Sequence, residues 1–315
     1  MALPTLEALL DSQHELVAVV SQPDRGRGRG RKRSPSPVAE RAADAGVDLL
    51  RPENVGEDAT AEALARAKPD LGVVVAFGQF IPKRIRTLPR LGYLINGHAS
   101  LLPRYRGAAP VAQAILDGER YTGVSVMRVE RAMDAGPVAL ARRLEIGAEE
   151  TTGELTLRLS HLAADLLLEA LDAIAKDTVQ WAEQDHHGAS VAPKITRDDA
   201  RIDWNRDASS CVRQVNAMAP KPGAFTSLGE ETILRILRAR PYSGSEAAPT
   251  RPGELRLAED DEAPPLRIGT GEGWLVPLEV QRSGGKTMDP GAFLRGHPLE
   301  NGMILGETSR AQGET

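Results

Sequence analysis

The 315-residue sequence has a single cysteine, Cys211, which leaves no partner for an internal disulfide and no thiolate set for a zinc site. It lacks any run of about 18 apolar residues, so no membrane-spanning helix is expected. Its longest strongly apolar stretch, residues 71–77, is strand-sized. The first residues have neither the basic start nor the long apolar block of a signal peptide, so the expectation is a soluble, cytoplasmic protein. No Gly-x-Gly-x-x-Gly follows a strand, which disfavours a nicotinamide dehydrogenase, and no Gly-Lys-Ser/Thr closes a phosphate-cradling loop. The pair His186-His187 has no third ligand pattern nearby and reads as a solvated loop, so no metal is expected. Aromatic residues make up only 3% of the chain, and Trp181, Trp204 and Trp274 read as packing anchors.

At roughly 100–200 residues per domain, the length allows two domains. The first half alternates strands and helices. Residues 15–20, 47–50, 71–76, 94–96 and 124–129 read as strands, and residues 38–45 and 58–67 as helices, with Ser36-Pro37 opening the first of these. Continuous apolar strands between helices predict a parallel sheet covered on both faces. Thr151-Thr152-Gly153-Glu154 is a capping box opening a long helix to about residue 175, with Leu155, Leu159, Leu162, Leu166, Ala170 and Ile174 along one face. After residue 205, short strands at 232–239, 265–268 and 274–280 alternate with Gly, Pro and acidic loops, predicting a small β-barrel or antiparallel sheet. The expected division is 1–184 for the first domain, 185–205 for a linker and 206–315 for the second.

Residues 25–33 hold Arg25, Arg27, Arg29 and Arg31 alternating with glycines and then Lys32 and Arg33. Subtracting these six charges from a net charge of −5 leaves −11 on the rest. Such an island in a flexible loop is either a solvated surface loop or an electrostatic footprint for a phosphate backbone or another polyanion.

The densest polar signal is residues 96–110. Asn96 and His98 lie two apart directly after a strand, so in extended chain both side chains face one way. Met133-Asp134-Ala135-Gly136-Pro137 follows a later strand and places a carboxylate in a Gly/Pro turn. An amide that stabilises an oxyanion, with an imidazole and a carboxylate that move or steer protons, makes a plausible acyl-transfer site.

On Asn96, His98, the Ser100-Leu101-Leu102-Pro103 run and the Asp134-x-Gly136 turn, the chain resembles the 10-formyltetrahydrofolate-dependent formyltransferases. Within them it is similar to the methionyl-tRNA formyltransferase branch through Ser21-Gln22-Pro23-Asp24, Ser36-Pro37-Val38, Arg106-Gly107-Ala108-Ala109-Pro110, Ala200-Arg201-Ile202-Asp203-Trp204, Pro222-Gly223-Ala224-Phe225-Thr226 and Phe293-Leu294-Arg295-Gly296-His297-Pro298. The resemblance implies an α/β fold, with a Rossmann-like, doubly wound formyltransferase domain followed by a small OB-like β-barrel domain that binds tRNA. It implies formyl transfer from 10-formyltetrahydrofolate, a co-substrate, to the α-amine of methionyl-initiator tRNA in translation initiation, without a metal, by a monomer. Asn96, His98 and Asp134 would be catalytic. Ser100, Leu101, Leu102 and Pro103 would line the folate site, and the basic residues from Arg25 to Arg33 would grip the tRNA. A small amine such as an amino sugar nucleotide as acceptor, or a catalytically impaired tRNA-binding protein, are the alternative readings.

The sequence departs from the family at two places. The family opens with an apolar strand and a Gly-Thr-Pro-x-Phe turn before the helix that matches residues 4–11, whereas this chain begins inside or just after that turn. The expectation is a sheet missing a central strand, with unpaired backbone groups and a gap in the core. Gly97 stands where the family has an apolar, often branched residue, and is expected to loosen the strand end. Tyr105 in place of Trp is a milder change.

Overall fold

The computed structural model of the protein describes residues 1–27, 32–229, 232–244, 248–258 and 263–306. In chain order the elements are α1 (Ala2–Leu10), β1 (Val19–Val20), β2 (Arg25–Arg27), β3 (Lys32–Ser34), α2 (Pro37–Asp44), β4 (Leu49–Leu50), α3 (Asp58–Ala67), β5 (Gly72–Val74), α4 (Lys83–Arg86), β6 (Leu94–His98), β7 (Arg106–Gly107), α5 (Pro110–Leu116), β8 (Tyr121–Arg128), β9 (Val138–Glu145) and α6 (Thr152–Ala175). They continue with β10 (Val191–Ala192), α7 (Ala208–Met218), β11 (Ala224–Leu228), β12 (Thr232–Pro241), β13 (Leu255–Leu257), β14 (Leu266–Gly269), β15 (Trp274–Arg282) and α8 (Pro290–Gly296). Two compact units result: Met1–Pro110 with Tyr121–Glu145 and Thr156–Ala192, and Val111–Arg120 with Ile146–Leu155 and the chain from Pro193 onward.

Local chemistry sets the helix boundaries. The Ser36 hydroxyl accepts from the Ala39 N–H, and Pro37 fills the first helical position, where a missing N–H costs nothing. Helix α6 begins with the predicted reciprocal cap: the Thr151 N–H donates to Glu154 Oε2 at 3.0 Å and the Glu154 N–H points back at Thr151 Oγ1 at 3.4 Å. Its side chains at 155, 159, 163, 166, 167 and 170 are buried, the spacing of a stripe that faces a core.

The α/β architecture of the first unit is the Rossmann-like one expected, but its sheet is mixed rather than parallel. β5 and β6 run parallel, while β8 is antiparallel to β6 and β9 antiparallel to β8, in the order β5-β6-β8-β9. The sequence reading missed β9. It is an edge strand with Arg142 and Arg143 in its middle, so it has no buried period-two face to betray it. Residues 15–20 pair only at Val19 and Val20, and residues 71–76 only from 72 to 74.

A second parallel pair, β1 with β4, stands apart from this sheet. It shares a small core with α1 and α2 built on Leu6, Val19 and Ala42. Among the described residues no strand joins β1 to β5. A largely apolar cleft of about 580 Å³ runs there, lined by Leu6, Leu9, Val17, Val19, Val73 and Leu171 among others.

The second unit is a five-stranded antiparallel sheet, β11-β12-β15-β14-β13, of OB-like type. Its core gathers Trp204, Cys211, Val215, Leu234, Ile236 and Phe293. Trp204 acts as an anchor, its indole N–H donating to Thr226 Oγ1 at 3.1 Å. Residues 185–205 carry two short 3-10 turns and β10 rather than a bare linker.

Candidate active site

Asn96 and His98 occupy alternate positions of β6, so both project from the same sheet face. Gly97, between them, faces the other side, toward α6. A β-carbon built there would lie 3.0 Å from Leu167 Cδ1 and 3.7 Å from the Ala163 methyl. Leu167 therefore fills the space that a larger residue at 97 would occupy. The strand is packed at this point, contrary to the looseness expected from glycine, because the helix supplies the missing side chain.

The turn bearing Asp134 reaches His98 by an indirect route. Because β8 is antiparallel to β6, its last residue, Arg128, lies opposite Ile95 at the start of β6. The loop that follows must double back along the sheet. Gly136 permits this: a β-carbon there would sit 2.1 Å from the Arg128 carbonyl oxygen. Asp134 itself takes a left-handed conformation, φ +49°. Its carboxylate then accepts the Gly107 N–H at 2.9 Å and lies 3.6 Å from His98 Nδ1. Gly107 is likewise a position for glycine only, with φ +119° and the Ala192 carbonyl oxygen 2.7 Å from where a β-carbon would be.

The other ring nitrogen of His98, Nε2, is 2.9 Å from the Tyr105 carbonyl oxygen, which can only accept, so Nε2 carries a proton. Both the imidazole and the carboxylate are largely buried. Tyr105 is buried and left-handed, φ +60°, with the Arg104 guanidinium 4.9 Å from its ring centre.

Of the run 100–103, Ser100 is fully buried and its hydroxyl donates to the Arg104 carbonyl at 2.6 Å. The Ser125 hydroxyl donates to the Ser100 carbonyl at 2.8 Å and accepts the Leu102 N–H at 3.0 Å. Leu101, Leu102 and Pro103 are half-buried, and the Leu102–Pro103 peptide is cis. Sequence reasoning missed Ser125, the Tyr105 carbonyl and Gln184, a buried polar residue in a stretch read as the end of the domain. The basic island was expected as a flexible loop; its flanks pair as a ribbon, β2 against β3, with Gly26 opposite Arg33. Arg25 and Arg33 are exposed. Arg27 and Lys32 are paired in register, and Arg29 and Arg31 lie outside the described residues.

Among the described residues no group of three His, Cys, Asp or Glu is placed to hold a metal ion, and no helix is long and apolar enough to cross a membrane. Cys211 is buried in the core of the second unit, and burial pushes its thiol up to about 12.

Two family patterns match: formyl transferase over residues 2–171 and the formyl transferase C-terminal domain over residues 194–298. The methionyl-tRNA formyltransferase of Citrifermentans bemidjiense is 40% identical over 312 residues, covering 99% of this chain and 95% of that protein. That of Methylococcus capsulatus is 43% identical over 298 residues, covering 95% and 94%. Among solved structures, an N-formyltransferase from Helicobacter canadensis, in complex with folinic acid and dTDP-3-aminofucose, aligns with a TM-score of 0.62 at 16% identity over 87% of this chain and 93% of its own. HypX from Aquifex aeolicus in complex with tetrahydrofolic acid aligns at 0.58 and 23% identity over 85% of this chain and 47% of its own. At those identities the structures share the fold.

Proposed function

The chain belongs to the methionyl-tRNA formyltransferase family, and we infer from its geometry how the residues divide that reaction. It moves a formyl group from 10-formyltetrahydrofolate to the α-amino group of methionyl-initiator tRNA. Residues 1–184 hold the chemistry, 206–315 add tRNA contacts, and 185–205 join them. The protein works as a cytoplasmic monomer.

The observation that supports the residue roles is His98 held between two oxygens, the Tyr105 carbonyl at 2.9 Å and the Asp134 carboxylate at 3.6 Å. The Tyr105 carbonyl takes the Nε2 proton, and the carboxylate facing Nδ1 would stabilise an imidazolium formed during the reaction. In the reaction the neutral amine attacks the formyl carbon and the carbonyl pair moves onto oxygen. Asn96, on the same face as His98, donates to that oxyanion. The imidazolium adds positive charge close by, and gives a proton to the folate nitrogen as its bond to carbon breaks. Asp134 steadies the imidazolium and helps take the proton that the amine loses. The shape of the Ser100 to Pro103 turn, locked by Ser125, forms a wall for the folate, with Leu101, Leu102 and Pro103 as its contact residues and Ser100 as its internal tie. The ribbon carrying Arg25, Arg27, Lys32 and Arg33, together with the basic residues Arg29 and Arg31 of the same segment, meets the tRNA backbone.

The test is an acceptor comparison with 10-formyltetrahydrofolate as donor. Formylation of methionyl-initiator tRNA, with no transfer to a dTDP-amino sugar, is the expected result. Transfer to the sugar alone, or to neither acceptor, rejects the reading.

A further inference from the structure

Gln184 joins the two segments that hold the catalytic carboxylate. Its side chain is 8% exposed. Its Nε2 donates to the carbonyl oxygen of Asp134 at 2.9 Å and to that of Gly136 at 2.7 Å. Its Oε1 accepts from Arg106 Nε at 3.1 Å and Nη2 at 2.7 Å. Both amide hydrogens and both lone pairs are thereby used. The orientation of the amide is fixed, since a flipped group would set oxygen against two carbonyls and nitrogen against a guanidinium.

The two segments tied in this way are the ones on which Asp134 depends. Asp134 holds a left-handed backbone that a non-glycine residue adopts at a cost, and such a conformation persists only where its surroundings enforce it. Gln184 bonds the carbonyl of that same residue. Arg106 immediately precedes Gly107, whose N–H holds the Asp134 carboxylate at 2.9 Å. A loss of register between the turn and β7 would move the carboxylate relative to His98, and misplacement by about 1 Å costs on the order of 10²-fold in rate.

We propose that Gln184 is a positioning residue for formyl transfer, one that locks the Asp134 turn to Arg106–Gly107 and so sets the carboxylate against His98. The proposal rests on the roles given to His98 and Asp134 above. Gln184 need not touch either substrate. It acts through Asp134, and this separates it from a residue that only supports the fold.

The experiment is a cycle on the full-length chain with Gln184→Glu and Asp134→Asn. Glutamate keeps the volume and the acceptor toward Arg106 but removes both donors to the turn. Gln184→Ala runs in parallel, and cooperative melting verifies that each variant is folded. The expected result is a kcat lower by about 10²-fold with KM for folate and for tRNA unchanged. Adding either Gln184 change to Asp134→Asn produces no further loss. An unchanged kcat, a loss carried by KM, or a full repeat of the loss in the Asp134→Asn background overturns the proposal. A silent Asp134→Asn overturns the site assignment itself, whereas an inactive Asp134→Asn beside a fully active Gln184→Glu defeats the positioning role alone.

Discussion

His98 Nδ1 stands 3.6 Å from Asp134 Oδ2, although the strand that leads to Asp134 ends at the opposite end of β6, beside Ile95. The contact exists because the intervening loop doubles back, with Gly136 passing against the Arg128 carbonyl. Replacing Gly136 by alanine forces that crossing apart. Gly136→Ala is expected to lower kcat as strongly as Asp134→Asn, about 10²-fold or more. Steady-state formylation measures both, and a fully active Gly136→Ala would show that the doubled-back loop is not needed.

Asn96 and His98 present side chains on one face of β6. Asn96→Ala removes the donor proposed for the developing oxyanion and should reduce kcat by about 10²- to 10³-fold. His98→Ala should cost about 10²- to 10⁴-fold. Full activity in either variant, assayed with methionyl-initiator tRNA, would remove that residue from the mechanism.

Gly97 and Leu167 share one packing site. Leu167→Ala empties it and is expected to cost about 2–5 kcal/mol. Gly97→Ala, made in the Leu167→Ala background, should recover part of that loss because its methyl enters the vacated space. Chemical denaturation of the four variants gives the coupling, and simple additivity would mean the two positions do not share space.

The reciprocal cap at the start of α6 gives stability a pH signature. The Thr151 backbone N–H, followed by its hydroxyl and Arg238, holds the Glu154 carboxyl below its ordinary value of 4.5. A carboxyl depressed in the folded state contributes stability that is fully present above its unfolded value and is lost as pH falls through the folded one. Thr151→Ala removes the hydroxyl and should cost about 1 kcal/mol at neutral pH. Its penalty should shrink as pH falls below 4.5 toward the lower pH at which Glu154 protonates in the folded protein. A penalty constant from pH 7 to pH 3 would contradict the cap.

Arg25 and Arg33 are exposed on adjoining strands of the ribbon. Changing both to Ser should weaken tRNA binding and flatten the logarithmic salt dependence by about one unit for each phosphate no longer neutralised. Equal affinity and slope would place the tRNA elsewhere.

How far the sequence could be read depended on whether the signal was local. Ser36-Pro37 and Thr151 to Glu154 were legible because a cap is written in adjacent residues, and the helix at 58–67 because of its alanine content. The pairing of Asn96 with His98 was legible through strand alternation. Strand direction was not. Nothing local in residues 121–128 reveals that they run antiparallel to β6, and in the edge strand β9 the alternation of Val138, Leu140 and Leu144 is broken by Arg142 and buries no face. Gln184 was invisible for a related reason: one glutamine has no period, and its meaning comes from four bonds to residues 48 to 78 positions away.

The break in the sheet between β1 and β5 has a consequence for how tRNA is met. The part holding β1, β4, α1 and α2 has a small core, Leu6, Val19 and Ala42 with the half-buried Leu10, Leu16, Val38, Val47 and Leu49 packed against them. A two-stranded sheet secured so lightly opens at a lower free energy than the sheet built on β6 and β8. The basic ribbon lies between β1 and α2, so it springs from this less secured part and not from the frame that holds His98. With the tRNA role proposed for the ribbon, an acceptor stem would be able to draw it into new positions without moving β6, so that recognition would be mechanically insulated from chemistry.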